Sequence, residues 1–129
     1  MRPFFYLSLL SLLTAFVLIS GCKTLPDVKS DSVRPVESIT ESVSQLSKAD
    51  AKGFAQAYAE EIRAAKGKMG ASQKQLKELT PAELSSAKAS TIKAEFAQAS
   101  MAVSSLLKRY ELYVKRYVEL GGKFEEVAV

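Results

Sequence analysis

The sequence predicts an all-α protein, and three observations support this fold class. Beyond Pro35 the chain is dominated by Ala, Lys, Glu, Gln and Leu, which favour helices, and no long stretch alternates apolar and polar residues as a strand does. Apolar residues recur there at steps of three and four. From Ala82 to Leu120 the chain contains neither Gly nor Pro. We expect an extended helical hairpin or a three-helix bundle over residues 36–129.

The first helical region has two apolar faces that are out of phase with each other. The first face ends at Leu46 and the second begins at Phe54; their members are Val36, Ile39, Val43 and Leu46, then Phe54, Tyr58, Ile62 and Ala65. Ser47 with Asp50 resembles a capping box, so we expect a break or kink between Ser47 and Gly53. Gly67 and Gly70 are expected to close this region.

The second helix has the clearest boundaries. Thr80 can cap it, Pro81 suits the first helical position, and Glu83 can bond back to the cap amide, while Gly121-Gly122 supplies the stop. Its apolar residues step by three and four in a coiled-coil-like seam: Phe96, Ala99, Val103, Leu106, Tyr110, Tyr113, Tyr117 and Leu120. We expect this helix to pack antiparallel on the first region through the connection 67–80.

The N-terminal residues have the layout of a secretory signal peptide. Arg2 provides a positive charge, an apolar stretch runs from Phe4 to Ile19, and small residues follow at Ser20 and Gly21. This stretch is shorter than the roughly 20 residues that a permanent membrane span needs. We therefore expect residues 1–21 to be removed.

The end of that segment, Ile19-Ser20-Gly21-Cys22, resembles the lipobox of bacterial lipoproteins, and Cys22 is the only cysteine. The resemblance implies cleavage after Gly21, with a covalent diacylglycerol and an N-acyl chain on Cys22 and no other cofactor. Lys23 stands where an Asp commonly retains such proteins in the inner membrane, so an outer-membrane protein facing the periplasm is implied. An uncleaved anchor, or ordinary secretion with a free thiol, is the alternative.

Residues 22–35 are expected to form the lipidated end and a flexible tether. The segment has a proline near each end, Pro26 and Pro35, and no apolar period of a helix or strand. About 13 flexible residues have a root-mean-square reach of roughly 20 Å, which would hold the helical domain just above the membrane.

The composition excludes several classes of chemistry. With no His and one Cys, the chain has no imidazole base, no Cys/His metal cluster and no disulfide within one chain. The serines near lysines at 85, 86, 104 and 105 have no glycine turn to form an oxyanion hole, so no enzyme and no metal site is expected. The net charge of the mature chain is near +3 and is dispersed along the chain. It favours weak attraction to anionic lipid or wall polymer. A lipid-anchored chain is not expected to meet nucleic acid.

Tyr110, Tyr113 and Tyr117 are the candidate partner-binding residues, and two interpretations are open. They share one helix face, while Lys108, Arg109, Lys115 and Arg116 repeat at seven on other faces, where they can pair with Glu111 and Glu119. The tyrosines are expected either to form an amphipathic core with solvated hydroxyls or to form a face that binds a partner or stacks on a glycan.

A lipidated Cys, a short tether and a heptad helix together resemble the murein lipoprotein class, although this chain ends in Glu125-Glu126-Val127-Ala128-Val129 without the C-terminal Lys used for wall attachment. Small helical lipoproteins also include pilotins, and that similarity rests on size, anchor and helicity alone. The function expected is a non-enzymatic interaction or assembly module for an envelope partner. The alternative is a self-associating spacer between outer membrane and cell wall.

Overall fold

The computed structural model describes residues 26–129, so the predicted signal peptide, the predicted cleavage site and Cys22 lie outside the described residues. Between Pro26 and Val129 the chain is helical and contains no strand, which confirms the all-α prediction. The helices are α1 (Val28–Ser32), α2 (Val36–Ser44), α3 (Lys48–Glu78) and α4 (Ala87–Glu119), with 3-10 turns at Glu83–Ser85 and Phe124–Glu126. No helix within this range is both long and apolar enough to cross a membrane.

Helices α3 and α4 form a long antiparallel hairpin. They contain 31 and 33 residues, so each is about 46–50 Å long at ~1.5 Å per residue. None of the eight seam residues predicted on α4, from Phe96 to Leu120, is exposed. The seam facing them on α3 continues past the predicted stripe through Met69, Ser72 and Leu76, all buried or partly buried.

The break at Ser47 is confirmed, but the predicted stop at Gly67 and Gly70 is wrong. Ser47 caps α3, because its Oγ accepts the Asp50 N–H at 3.2 Å. The helix then runs through both glycines to Glu78. An interior Gly costs only about 1 kcal/mol relative to Ala, and the continuing seam packs enough surface to outweigh that cost.

The long helix begins six residues later than predicted, with its cap at Ser86 and not at Thr80. The Thr80–Glu83 box does form, since the Thr80 N–H donates to Glu83 Oε2 at 2.8 Å, but it starts only a 3-10 turn. Ser86 is extended and caps α4 by accepting the Ala89 N–H. The predicted stop is confirmed, because Gly121 has φ +80° and the Gly122 N–H donates to the Tyr117 carbonyl at 2.9 Å.

The segment predicted as a flexible tether is partly folded, which corrects that interpretation for residues 26–35. Val28–Ser32 is a helix capped by Asp27, and Val28 and Asp31 are buried against the hairpin. The prediction failed because a five-residue helix is too short to show an apolar period. Only three residues, 23–25, lie between Cys22 and the first described residue, Pro26.

The molecule therefore has two parts. The body comprises 26–63 and 104–129, in which α1, α2 and the C-terminal segment 123–129 pack on the hairpin. The arm comprises 64–103, where α3 and α4 continue with their connecting turn and no other described segment covers them. The result is a two-helix rod with a thicker end.

Candidate functional site

Tyr113 is the centre of a buried aromatic cluster that fixes α1 to the hairpin. Its ring stacks on Phe54 at 4.7 Å and on Tyr58 at 5.4 Å between centroids. The hydroxyls of Tyr113 and Tyr58 both donate to Asp31 Oδ2, at 2.6 and 2.7 Å. Asp31 is only 6% exposed, so one carboxylate of α1 satisfies two buried phenols that belong to different long helices.

Burial sets the ionisation of these phenols. Removal from solvent raises the pKa of both Tyr58 and Tyr113 well above the usual 10, and the hydrogen bonds and negative charge of Asp31 raise it further. A tyrosinate beside a carboxylate in this cluster would be strongly disfavoured. The pair therefore acts as two neutral donors on one acceptor.

Tyr110 and Tyr117 hold the C-terminal segment on another side of the hairpin. The Tyr110 hydroxyl donates to the Val127 carbonyl at 2.8 Å, and the Tyr117 hydroxyl donates to Glu126 Oε2 at 2.9 Å. Lys52 also pairs with the Glu126 carboxylate, and this contact, followed by the Tyr117 bond, lowers the pKa of Glu126. Burial raises the pKa of Tyr110.

The three candidate partner-binding tyrosines are thus inside the folded chain. Tyr110, Tyr113 and Tyr117 are 6%, 2% and 2% exposed. This placement agrees with the core interpretation and leaves little of any ring for a partner to contact. The expectation of solvated hydroxyls is wrong, because each hydroxyl bonds to a segment near one end of the described chain.

Two arginines that the sequence placed at the surface hold the α1–α2 segment. Arg109 Nη2 donates to the Arg34 carbonyl at 2.9 Å, and Arg116 Nη2 donates to the Leu46 carbonyl at 3.1 Å. Neither pairs with Glu111 or Glu119 in the described chain. Each arginine directly precedes a seam residue, Tyr110 or Tyr117. Residues at such positions flank the packed face of a helix, so they can contact a further segment that lies beside it. This position was the signal in the sequence that could have identified them.

The same side of α4 continues into the arm as an open groove. Glu95 and Ala102 precede the seam residues Phe96 and Val103 just as Arg109 and Arg116 precede theirs. The groove encloses about 470 Å³. Its walls are mostly small or polar residues of both helices: Glu61, Ala64, Ala65, Lys68, Ala71, Ser72, Gln75, Glu95, Gln98, Ala99, Ala102 and Leu106.

Charge is divided unequally between the two parts, although the sequence suggested a dispersed distribution. The arm carries six basic and three acidic residues, whereas the described body carries ten basic and eleven acidic residues. The net charges are therefore +3 for the arm and −1 for the body. Most of the positive charge of the arm lies in 64–78, which holds four of its six lysines, and the hairpin places this stretch beside 87–103 at the end away from the body.

Two of the four serines near lysines have structural partners. Ser86 caps α4, and Ser105 Oγ accepts from Arg109 Nη1 at 2.7 Å. Within residues 26–129, no three acidic or cysteine side chains form a cluster that could hold a metal ion.

In comparisons with known proteins, no family model, no curated protein and no solved structure matches the chain.

Proposed function

We propose that the chain is a non-enzymatic, lipid-anchored lipoprotein of the outer membrane, whose helical rod binds an envelope partner in the periplasm. The observation that carries the location is Ile19-Ser20-Gly21-Cys22 at the end of an apolar N-terminal segment. The observation that carries the binding role is the uncovered groove of the arm.

The anchoring proposal places the body next to the membrane. Four peptide steps separate Cys22 from Pro26, which limits their distance to about 14 Å. Pro26 lies against α3 near its first turns, with its Cγ 3.4 Å from the position of a Cβ at Gly53. Lipid on Cys22 would therefore hold the body within a short distance of the bilayer, and the arm would be the part free to reach a partner.

The groove of the arm has the properties of a helix-binding surface. In the body, the corresponding side of the hairpin is already occupied by the α1–α2 segment, so the hairpin accommodates helical segments there. From Glu61 to Gln75 the groove spans about 21 Å, the length of roughly four helical turns. Its alanines leave room for larger side chains of a partner helix, and a membrane anchor would raise the effective concentration of a weak partner.

The experiment is site-specific photo-crosslinking in living cells. A photoreactive amino acid replaces Ala71 or Ala102 in the groove, and Ala94 or Met101, both exposed on the arm outside the groove, in matched controls. The proposal predicts an adduct with one other envelope protein at the groove positions, none at the controls, and loss of the adduct with Cys22→Ala.

The alternative, a self-associating spacer, predicts a different result. Its interface would have to use the arm, because in the body the seam from Leu106 to Tyr117 packs within the chain. Adducts at the mass of two copies of the chain, with no second protein, would support the spacer and contradict the assembly module. Equal adducts at groove and control positions would contradict both.

A further inference from the structure

The C-terminal segment covers one side of the hairpin, here called the tail side. Lys52 and Gln56 contact Glu126, and Arg63 Nη2 donates to the Ala128 carbonyl at 2.8 Å. Helical steps of three and four continue this side along α3 to Lys66, Gln73 and Lys77. On α4 the tail side lies across the helix from the groove residues Glu95 and Ala102. The α4 residues on the tail side are Lys93, Ala97, Ser100 and Ser104.

The tail side of the arm is basic and carries no acidic residue. Lys66, Lys77 and Lys93 are all exposed. The three acidic residues of the arm lie elsewhere: Glu95 lines the groove, Glu83 bonds to Thr80 at the tip, and Glu78 lies one heptad after the groove residue Ala71 and pairs with Lys74 at 3.9 Å. The attraction of this face for anions is therefore not cancelled by neighbouring carboxylates.

A second, independent feature lies on the body end of the same side. The C-terminal segment carries Phe124, which is 51% exposed, and Val129, which is 40% exposed, together with the exposed Lys123 and Glu125, whereas its Glu126 pairs with Lys52. A row of lysines with a few exposed apolar side chains is typical of surfaces that lie in the interfacial region of a bilayer. Anionic headgroups attract such lysines over about one Debye length.

We propose that the tail side is a membrane-facing surface, and that the rod lies along an anionic phospholipid bilayer with the groove turned away from it. The arm favours lipid over a glycan or nucleic acid, because its one aromatic residue, Phe96, is partly buried in the seam and offers no ring for stacking. This orientation rests on the proposed anchoring, which brings the rod to the surface. It deepens that function by leaving the groove open to the periplasm.

The test measures how far the tip of the arm lies from the bilayer. The chain is purified from bacterial envelopes with Cys22 unchanged and with Ala82→Cys. Because the proposed lipid attachment converts the Cys22 thiol into a thioether, a thiol-reactive donor fluorophore labels only the exposed turn between the long helices. Vesicles contain an acceptor on the headgroup and are made of phosphatidylcholine alone, or with about one third phosphatidylglycerol to supply negative charge. A rod standing on its body holds the tip about 45 Å above the bilayer.

The expected result is strong energy transfer on anionic vesicles, weak transfer on neutral vesicles, and loss of the difference at high salt. Each lysine contributes on the order of fivefold to partitioning, so Lys66→Glu with Lys77→Glu and Lys93→Glu should lose at least about a hundredfold in occupancy of the lying state. The matched control changes Lys68, Lys108 and Lys115, which lie off the tail side, to Glu, and it should retain most of the transfer. Circular dichroism verifies that both variants stay helical, since all six lysines are exposed.

Equal transfer on neutral and anionic vesicles would overturn the proposal, as would equal losses in the two triple variants. Weak transfer on anionic vesicles combined with pelleting on purified cell-wall sacculi would also overturn it and assign the basic face to wall polymer. Flotation of the same samples tests the anchor separately. A chain that floats only with anionic vesicles supports the basic face and contradicts the anchor. A chain that floats with both kinds of vesicle and shows no charge-dependent energy transfer supports the anchor and contradicts the basic face.

Discussion

Asp31→Ala is the substitution that most sharply tests whether α1 is docked on the hairpin. It removes the single acceptor of two buried hydroxyls, those of Tyr58 and Tyr113. A buried polar group left without a partner costs about 1–3 kcal/mol. Two hydroxyls lose their partner, and the better helix propensity of Ala offsets a few tenths of a kcal/mol of this cost. The free energy of unfolding should therefore fall by about 2–5 kcal/mol, which is a large part of the stability of a domain of this size.

The assay is urea denaturation of the chain from residue 22 onward with Cys22→Ser, followed by circular dichroism. Glu37→Ala, at an exposed position of α2, is the matched control and should change the free energy of unfolding by less than about 0.5 kcal/mol. In a background of Tyr58→Phe and Tyr113→Phe the hydroxyls are gone, so Asp31→Ala should there cost less than about 1 kcal/mol.

Two results would contradict this role of Asp31. If Asp31→Ala costs no more than the control, residues 26–35 are the flexible tether that the sequence suggested. If it costs the same with and without the two hydroxyls, Asp31 stabilises the body by some contact other than these hydrogen bonds.

Three further predictions concern the glycines and the tyrosines. Gly67→Ala and Gly70→Ala should each raise stability to urea by about 0.5–1 kcal/mol, because both lie inside α3 with open space at the Cβ; destabilisation would indicate that the helix ends there. Gly122→Ala should lower stability by about 1–3 kcal/mol, because its Cβ would overlap the Tyr117 ring, whereas Gly53→Ala would meet only Pro26 and should change stability much less. Since the pKa values of Tyr58, Tyr110 and Tyr113 are raised in the folded chain, their contribution to stability is complete below pH 10 and should fall as the pH rises above it, where unfolded tyrosines ionise. Absorbance of tyrosinate should therefore lag behind a free-tyrosine titration until the helices melt, and full ionisation near pH 10 with intact helices would contradict the buried cluster.

The sequence predicts the long-range features of the fold because they repeat. The seam from Phe96 to Leu120 and the caps at Ser47 and Gly121 follow from periodicity and local backbone chemistry. The features it misses depend on tertiary contacts. The five residues of α1 are too few to show a period, and only the tertiary structure pairs Asp31 with two tyrosines from other helices.

The candidate site was predicted less well than the fold. The tyrosines were correctly placed on the seam, but a periodic pattern does not reveal whether a seam residue faces a partner or another segment of its own chain. Here Tyr110 and Tyr117 are covered by the C-terminal segment, whose short 3-10 turn has no helical period. The separation of charge between arm and body was likewise missed, because only the folded hairpin shows that residues 64–103 form one part.

Lipid attachment of this rod at Cys22 can be tested on the intact mass of the chain extracted from bacterial envelopes. Lipid attachment predicts a chain that begins at Cys22 and carries a diacylglycerol and an N-acyl chain, together with an unmodified, mislocalised product for Cys22→Ala. A chain with a free thiol at Cys22, whether cleaved elsewhere or still bearing residues 1–21, would contradict it.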